Sequence, residues 1–193
     1  MRVVIRGAGD LASGVALRLW RAGMDVVLLD VEKPTAIRRT VAFSEAIVHG
    51  VQRVEDVTAR LATAETAEEI LAAGYIPVLV DPEGQSVPKL KPDALVDAIL
   101  AKRNLGTEIR DAPVVIGVGP GFTAGVDCHA VVETMRGHSL GRVIREGSAI
   151  PNTGIPGLIG GFAGERVLRA PAAGLFHPLR DIGDAVTEGE ILA

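Results

Sequence analysis

The chain has 193 residues, 48% of them hydrophobic and 23% charged, with only 3% aromatic and a net charge of −4. That length holds one full core and a small appendage, built from Val, Ile, Leu and Ala rather than from aromatic rings. The acidic balance argues against nucleic acid or an anionic membrane as a partner. A single cysteine, Cys128, excludes an intrachain disulfide, and no apolar run approaches the roughly twenty residues of a membrane helix.

Val3-Val4-Ile5 opens the chain as a β-branched strand, which leaves no room for a signal peptide before it. With the lone cysteine, this points to a cytoplasmic protein. Arg6-Gly7-Ala8-Gly9-Asp10 follows at once, then a helix over Asp10–Ala22 with Leu11, Val15 and Leu19 on one face and Gly23 at its end. A second strand, Val26–Leu29, stops at Asp30. Strand, Gly-rich turn, helix, strand and acid in that order make the βαβ unit of a nucleotide site. Gly7 would form the tight turn, and Gly9, after Ala8, would admit a diphosphate. Ala12 would let helix and strand pack closely, and Asp30 would accept ribose hydroxyls. The anion would rest on the unpaired N–H groups at the helix N-terminus. NAD(P) or another nucleotide is the expected cofactor class, and a carboxylate at Asp30 favours a free ribose over a 2′-phosphate.

Asp10 does not fit a plain dinucleotide site. It either offsets the helix macrodipole, or repels a bare diphosphate and calls for a divalent cation, or selects a less charged ligand; Arg6 at the strand end could neutralise either Asp10 or a phosphate. Arg38 and Arg39 follow a Pro34 that can open a short helix. They are a solvated pair or partners for phosphate or carboxylate.

Val57–Leu61 reads as a third strand, Ala67–Ala73 as a helix closed by Gly74, and Ile76–Val80 as a buried fourth strand. Residues Glu83–Lys91 have the chemistry of a surface loop, and Pro92–Lys102 reads as a helix with Leu95 and Ile99 facing inward. Pro113–Val118 is the fifth strand. It leads into a second Gly-rich loop whose Gly119 and Gly121 lie on the same sheet edge as Gly7 and Gly9 and are expected to share their cleft. Asp127–Glu133 alternates like a strand, with Arg136-Gly137-His138 in a turn after it. Asp127, Cys128, His129, Glu133 and His138 could ligate metal, but on a strand Cys128 points away from Asp127 and His129. No metal site is therefore expected.

The fold class expected is α/β: a Rossmann-like, mostly parallel sheet with helices on both faces, over residues 1–146. A Gly/Pro-rich linker is expected over 147–165 and a small β segment over 166–193. Its strands are placed at Arg166–Ala170, Leu175–Leu179 and Ile191–Ala193, with a further piece near Val186.

Several segments resemble the YqeB-type accessory proteins of selenium-dependent molybdenum hydroxylases. They are Gly7–Gly14, Pro34–Arg39, Leu90–Asp93, Val96–Asn104, Gly119–Phe122, Glu133–His138 and Leu140–Ile144. The resemblance covers essentially the whole chain and implies a cytoplasmic helper in the maturation of a molybdenum enzyme, with a Rossmann-like domain similar to that of xanthine dehydrogenase accessory factors. The partners it implies are the hydroxylase or its maturation machinery, and homo-oligomerisation stays open. It assigns no reaction and no catalytic residue. Members are usually longer, so this chain looks truncated. The tail, Ala170–Phe176, Ile182–Val186 and Glu188–Ala193, resembles half of a biotinyl/lipoyl-type hammerhead. There is no lysine beyond Lys102, so a carrier role has no support. The competing readings are a free-standing NAD(P)-dependent oxidoreductase, for which no Tyr/Lys or His/Asp pair is evident, and an interaction module whose glycines are only structural.

Overall fold

Alternation along Val3-Val4-Ile5 sends successive side chains to opposite faces of a sheet, and both faces are apolar, as a strand buried on both sides requires. The computed structural model describes residues 1–155, 157–174 and 176–193. The chain divides into two units, Met1–Asn152 and Thr153–Ala193.

In the first unit, strands β1 (Arg2–Arg6), β2 (Asp25–Asp30), β3 (Val51–Val54), β4 (Val57–Ala62), β5 (Ile76–Val80), β6 (Ala94–Asp97), β7 (Val114–Val118), β9 (Ala130–Val132) and β10 (Val143–Ile144) form one nine-stranded sheet. Its order is β10-β9-β7-β6-β1-β2-β5-β4-β3. The seven central strands pair parallel, and the outermost strand on each side pairs antiparallel. Strand β8 (Thr123–Ala124) pairs separately with β11 (Gly147–Ser148). Helix α1 (Asp10–Arg21) packs Ala12, Ala16 and Leu17 on the face of Val3, Ile5, Val26 and Leu28. Ala46 of α2 (Glu45–His49) joins that layer with Phe43. The opposite face, with Val4, Val27, Leu29 and Val115, is covered by Ala67 of α3 (Ala67–Ala72) and by Val87 and Leu90 of α4 (Val87–Leu90). The α/β, Rossmann-like class with helices on both faces stands. Among the described residues no helix is long and apolar enough to cross a membrane.

Six local expectations are corrected or refined. Pro92–Lys102 is not a helix: Ala94–Asp97 is β6, all four residues buried between β1 and β7. Leu95 and Val96 enter opposite core layers, so the Leu95/Ile99 spacing mimicked a helix face by coincidence. A short apolar run after Pro92-Asp93 is what a buried parallel strand looks like. Pro34 opens no helix; the next regular pieces are a 3-10 turn at Arg39–Val41 and then α2. The strand Val57–Leu61 is one arm of a hairpin with β3, turned through Glu55 at φ 54°. The loop Glu83–Lys91 contains the single turn α4. Only Ala130–Val132 of the expected strand Asp127–Glu133 is a strand, because the Asp127 carboxylate accepts the Thr123 N–H at 2.7 Å and caps a turn instead. The supposed linker from 147 also moves: Gly147–Ser148 pairs with Thr123–Ala124 and belongs to the first unit.

In the second unit, Leu175 lies outside the described residues. Among the described ones there is no strand where Arg166–Ala170 and Ile191–Ala193 were expected. The 3-10 turn Gly164–Arg166, an isolated bridge between Ile159 and Phe162, and a bond from Leu179 N–H to the Leu192 carbonyl at 2.8 Å remain. That last bond brings together the two ends expected to be strands. Leu168, Phe176, Ile182, Val186 and Ile191 are exposed, so little apolar burial offsets chain entropy in this unit. The expected outcome is that backbone amides of residues 153–193 exchange with deuterium far faster than those of β1 and β7. Hydrogen-exchange mass spectrometry checks it; equal protection would mean the tail folds as firmly as the sheet.

Candidate functional site

The chain leaves β1 through α1 to reach β2 on one side, and later returns to place β6 on the other side of β1. The loops after β1 and β6 therefore diverge at the carboxyl edge of the sheet, and such a switch point opens a crevice. Here the crevice is a cleft of about 380 Å³, lined by Gly7, by Gly9 to Ala12, by Asp30 and Val31, by Thr35 to Arg38, and by Ala98 to Leu100.

The two glycines of the first turn do different work. Gly7 has φ 98°, and its N–H donates to the Leu29 carbonyl at 2.6 Å. A Cβ on it would lie 2.8 Å from the Ala98 carbonyl oxygen, so the fold itself demands glycine. Gly9 has an ordinary extended backbone, φ −65° and ψ −177°, and nothing lies within 4 Å of where its Cβ would be. The open space is the cleft. Among the described residues no side chain caps α1, and the N–H groups of its first turn have no acceptor there. Ala12 and Ala8 are buried, and Ala12 packs on the sheet as expected.

Asp30 is tied into this turn. Its Oδ2 accepts the Ala8 N–H at 2.7 Å and its Oδ1 the Val31 N–H at 2.7 Å. Burial pushes its carboxyl above the usual range, and the two amide bonds pull back against that without cancelling it. Each oxygen keeps a lone pair that a ligand hydroxyl can use. Asp10 forms an ion pair with Arg38, whose side chain reaches over from the loop after β2. Arg39 is exposed and stands outside the cleft wall.

Arg6 is placed differently from the sequence reading. It is only 4% exposed, and its guanidinium donates to Thr107 Oγ1 at 2.6 Å and to the carbonyls of Pro82 and Leu105 at 3.0 and 3.1 Å. The Thr107 hydroxyl donates in turn to Asp97 Oδ2 at 2.6 Å, and Arg6 lies 3.8 Å from the same oxygen. A buried Arg–Thr–Asp unit thus joins the ends of β1 and β6 to the loop beyond. Gly119 and Gly121 also serve the protein: Cβ atoms there would lie 2.9 Å from Thr134 Oγ1 and 2.6 Å from the Arg103 Cα. They share the carboxyl edge with Gly7 and Gly9 but are not part of the cleft wall. Sequence reasoning missed Thr35 to Ile37 and Ala98 to Leu100, because the second group was assigned to a helix. The signal was Asp97 closing an apolar run, as Asp30 closes its own.

Three of the possible metal ligands, Asp127, His129 and Glu133, have other occupations. His129 Nδ1 accepts the Val115 N–H at 3.0 Å, and Glu133 accepts the N–H groups of Met135 and Ile150 at 2.7 and 2.8 Å. A larger depression of about 610 Å³ lies between the ends of β4 and β5 and the helices α3 and α4. Its charged groups are satisfied internally, Asp81 by Ser86 and Lys89 by Glu65, whereas the switch-point cleft retains unbonded amides.

Fold and cleft together define a Rossmann-like α/β module with an open cleft at its switch point. No family model matches the chain, and no solved structure matches it. Among curated proteins it is similar to the uncharacterized protein YqeB of Escherichia coli (strain K12), 58% identical over 192 residues. The match covers 99% of this chain and 36% of that protein, so the chain spans about a third of the length of the relative it matches.

The distinction between the glycines is measurable. Gly7→Ala should lower unfolding free energy by about 2–4 kcal/mol through left-handed strain and the clash with Ala98. Gly9→Ala should cost less than about 1 kcal/mol, as a weaker N-cap. Denaturant titration of the two variants checks the ordering.

Proposed function

We propose that this chain is a nucleotide-binding accessory module of a selenium-dependent molybdenum hydroxylase system, acting in the cytoplasm. The observation that carries the binding half is the cleft at the switch point: an uncapped α1, the empty space at Gly9, and Asp30 held by the Ala8 amide with lone pairs to spare. An anionic group of the ligand would accept the first-turn N–H groups of α1, and Asp30 would accept its ribose hydroxyls. The accessory half rests on the motif resemblance along the chain and on the similarity to YqeB. Its partner would be the hydroxylase or its maturation machinery. The oxidoreductase reading gains nothing from the cleft, where Asp10, Asp30 and Arg38 are the titratable residues among the described lining, and no acid–base pair faces the space.

Two measurements test these halves separately. Gly9→Val should weaken AMP binding at least about tenfold by calorimetry, because its side chain fills the space beside the helix N-terminus, while costing only about 1 kcal/mol of stability. Unchanged affinity removes the site assignment. In the same assay adenosine 2′,5′-bisphosphate should bind more weakly than AMP, since its 2′-phosphate meets the Asp30 carboxylate.

In cells that make the hydroxylase, deleting the gene should lower hydroxylase activity while the amount of hydroxylase polypeptide stays unchanged. Full activity in a clean deletion strain rules out the maturation role.

A further inference from the structure

The switch-point cleft has a neighbour. Gly7, Asp30, Val31 and Ile99 also line a second depression of about 430 Å³ at the ends of β1, β2 and β5, whose other walls include Pro82 and Leu105. The charged side chains around the two spaces are unevenly matched. Asp10 and Asp30 line the cleft, and Asp30, Asp81 and Glu83 line the depression. Among the described residues Arg38 is the one cation of the cleft wall, 66% exposed, and it is paired with Asp10. Arg6 lines the depression but is already matched by Asp97.

An anionic group arriving at α1 can draw Arg38 away from Asp10, exchanging its carboxylate partner for the ligand. A second anionic group finds no further unmatched cation among the described residues of these walls and meets the released Asp10. The depression offers the Asp30 and Glu83 carboxylates among apolar walls, so it suits an uncharged ring with N–H donors at its edge. We infer that this pair of spaces is selective by charge: it takes a ligand with one anionic group at the α1 N-terminus and an uncharged, amino-bearing heterocycle in the depression, and rejects a bare diphosphate. Asp10 enforces the first condition and Glu83 contributes to the second. The inference rests on the proposed nucleotide reading and specifies the ligand within it.

The test is calorimetry in EDTA with AMP, ADP and IMP on the full chain, its Asp10→Asn variant and its Glu83→Gln variant. The parent should bind AMP at least about fivefold more tightly than ADP, the effect of roughly one unit charge facing a carboxylate in a wet site. It should also prefer AMP to IMP, whose ring carbonyl replaces the amino donor and faces carboxylates. Asp10→Asn should abolish the AMP-over-ADP ratio, and Glu83→Gln should narrow the AMP-over-IMP ratio while leaving AMP-over-ADP intact. Both side chains reach solvent, and unchanged circular dichroism confirms that the variants fold. ADP binding as tightly as AMP to the parent, or ratios unmoved by the variants, overturns the inference and leaves the nucleotide reading standing. Failure of all three ligands to bind the parent and Asp10→Asn overturns both.

Discussion

The constraint the site depends on is the close approach of Gly7 to the backbone of Ala98 and Ile99. A missing Cβ lets β1 and β6 run side by side to their last residues, Arg6 opposite Asp97, and still diverge into separate loops. The cleft is the gap that this divergence leaves. The same stretch of chain is gripped from its other side, since Gly121 lies against the backbone of Arg103 and Gly119 against Leu100. Residues Ala98 to Arg103 are thus held between two glycine turns, and Leu100 and Lys102 take left-handed backbones, φ 60° and 65°, to fit there. Backbone in that region costs about 1–3 kcal/mol per residue and persists only where surroundings impose it.

Beneath this stretch lies the ionic unit of Arg6, Thr107 and Asp97. Asp97 is 1% exposed and Arg6 4%, so each requires the other: an uncompensated buried charge costs about 3–5 kcal/mol. Thr107 makes the pair geometrically consistent, accepting from the guanidinium and donating to the carboxylate. The unit anchors the loop beyond β6, which has no helix to hold it, and so fixes the wall of the cleft opposite Asp30. Arg6 thus orders the site from below, and the cation facing the cleft is Arg38.

The electrostatic character of the cleft follows from that division. Had Arg6 reached the helix N-terminus, the walls would carry two cations against two acids and would favour a diphosphate. With Arg6 withdrawn, the carboxylates outnumber the cation facing them, and the unbonded amides of α1 supply what positive potential remains.

The first thirty residues show how much was legible without coordinates. Strand, turn, helix, strand and acid are encoded locally, by β-branched runs, glycines and apolar spacing, and β1, α1, β2 and Asp30 fall where those signals lie. The alternation that buries both faces of the central strands was equally local, and so was the α/β class. Which strand stands beside β1 was not, because Ala94-Leu95-Val96 followed by Ile99 satisfies a helical period as well as a strand, and only pairing with β1 and β7 selects the strand. The fates of Arg6, Gly119 and Gly121 were equally hidden. Their partners are Asp97 and Thr107, Thr134, and Arg103, and apart from Arg103 and Thr134, which lie nearby along the chain, those contacts span about ninety residues or more. Sequence by itself determined the elements whose signals lie within a few residues of one another. Tertiary structure decided which glycine faces ligand space and which faces protein, and which arginine is buried, because those depend on what the fold brings against each residue.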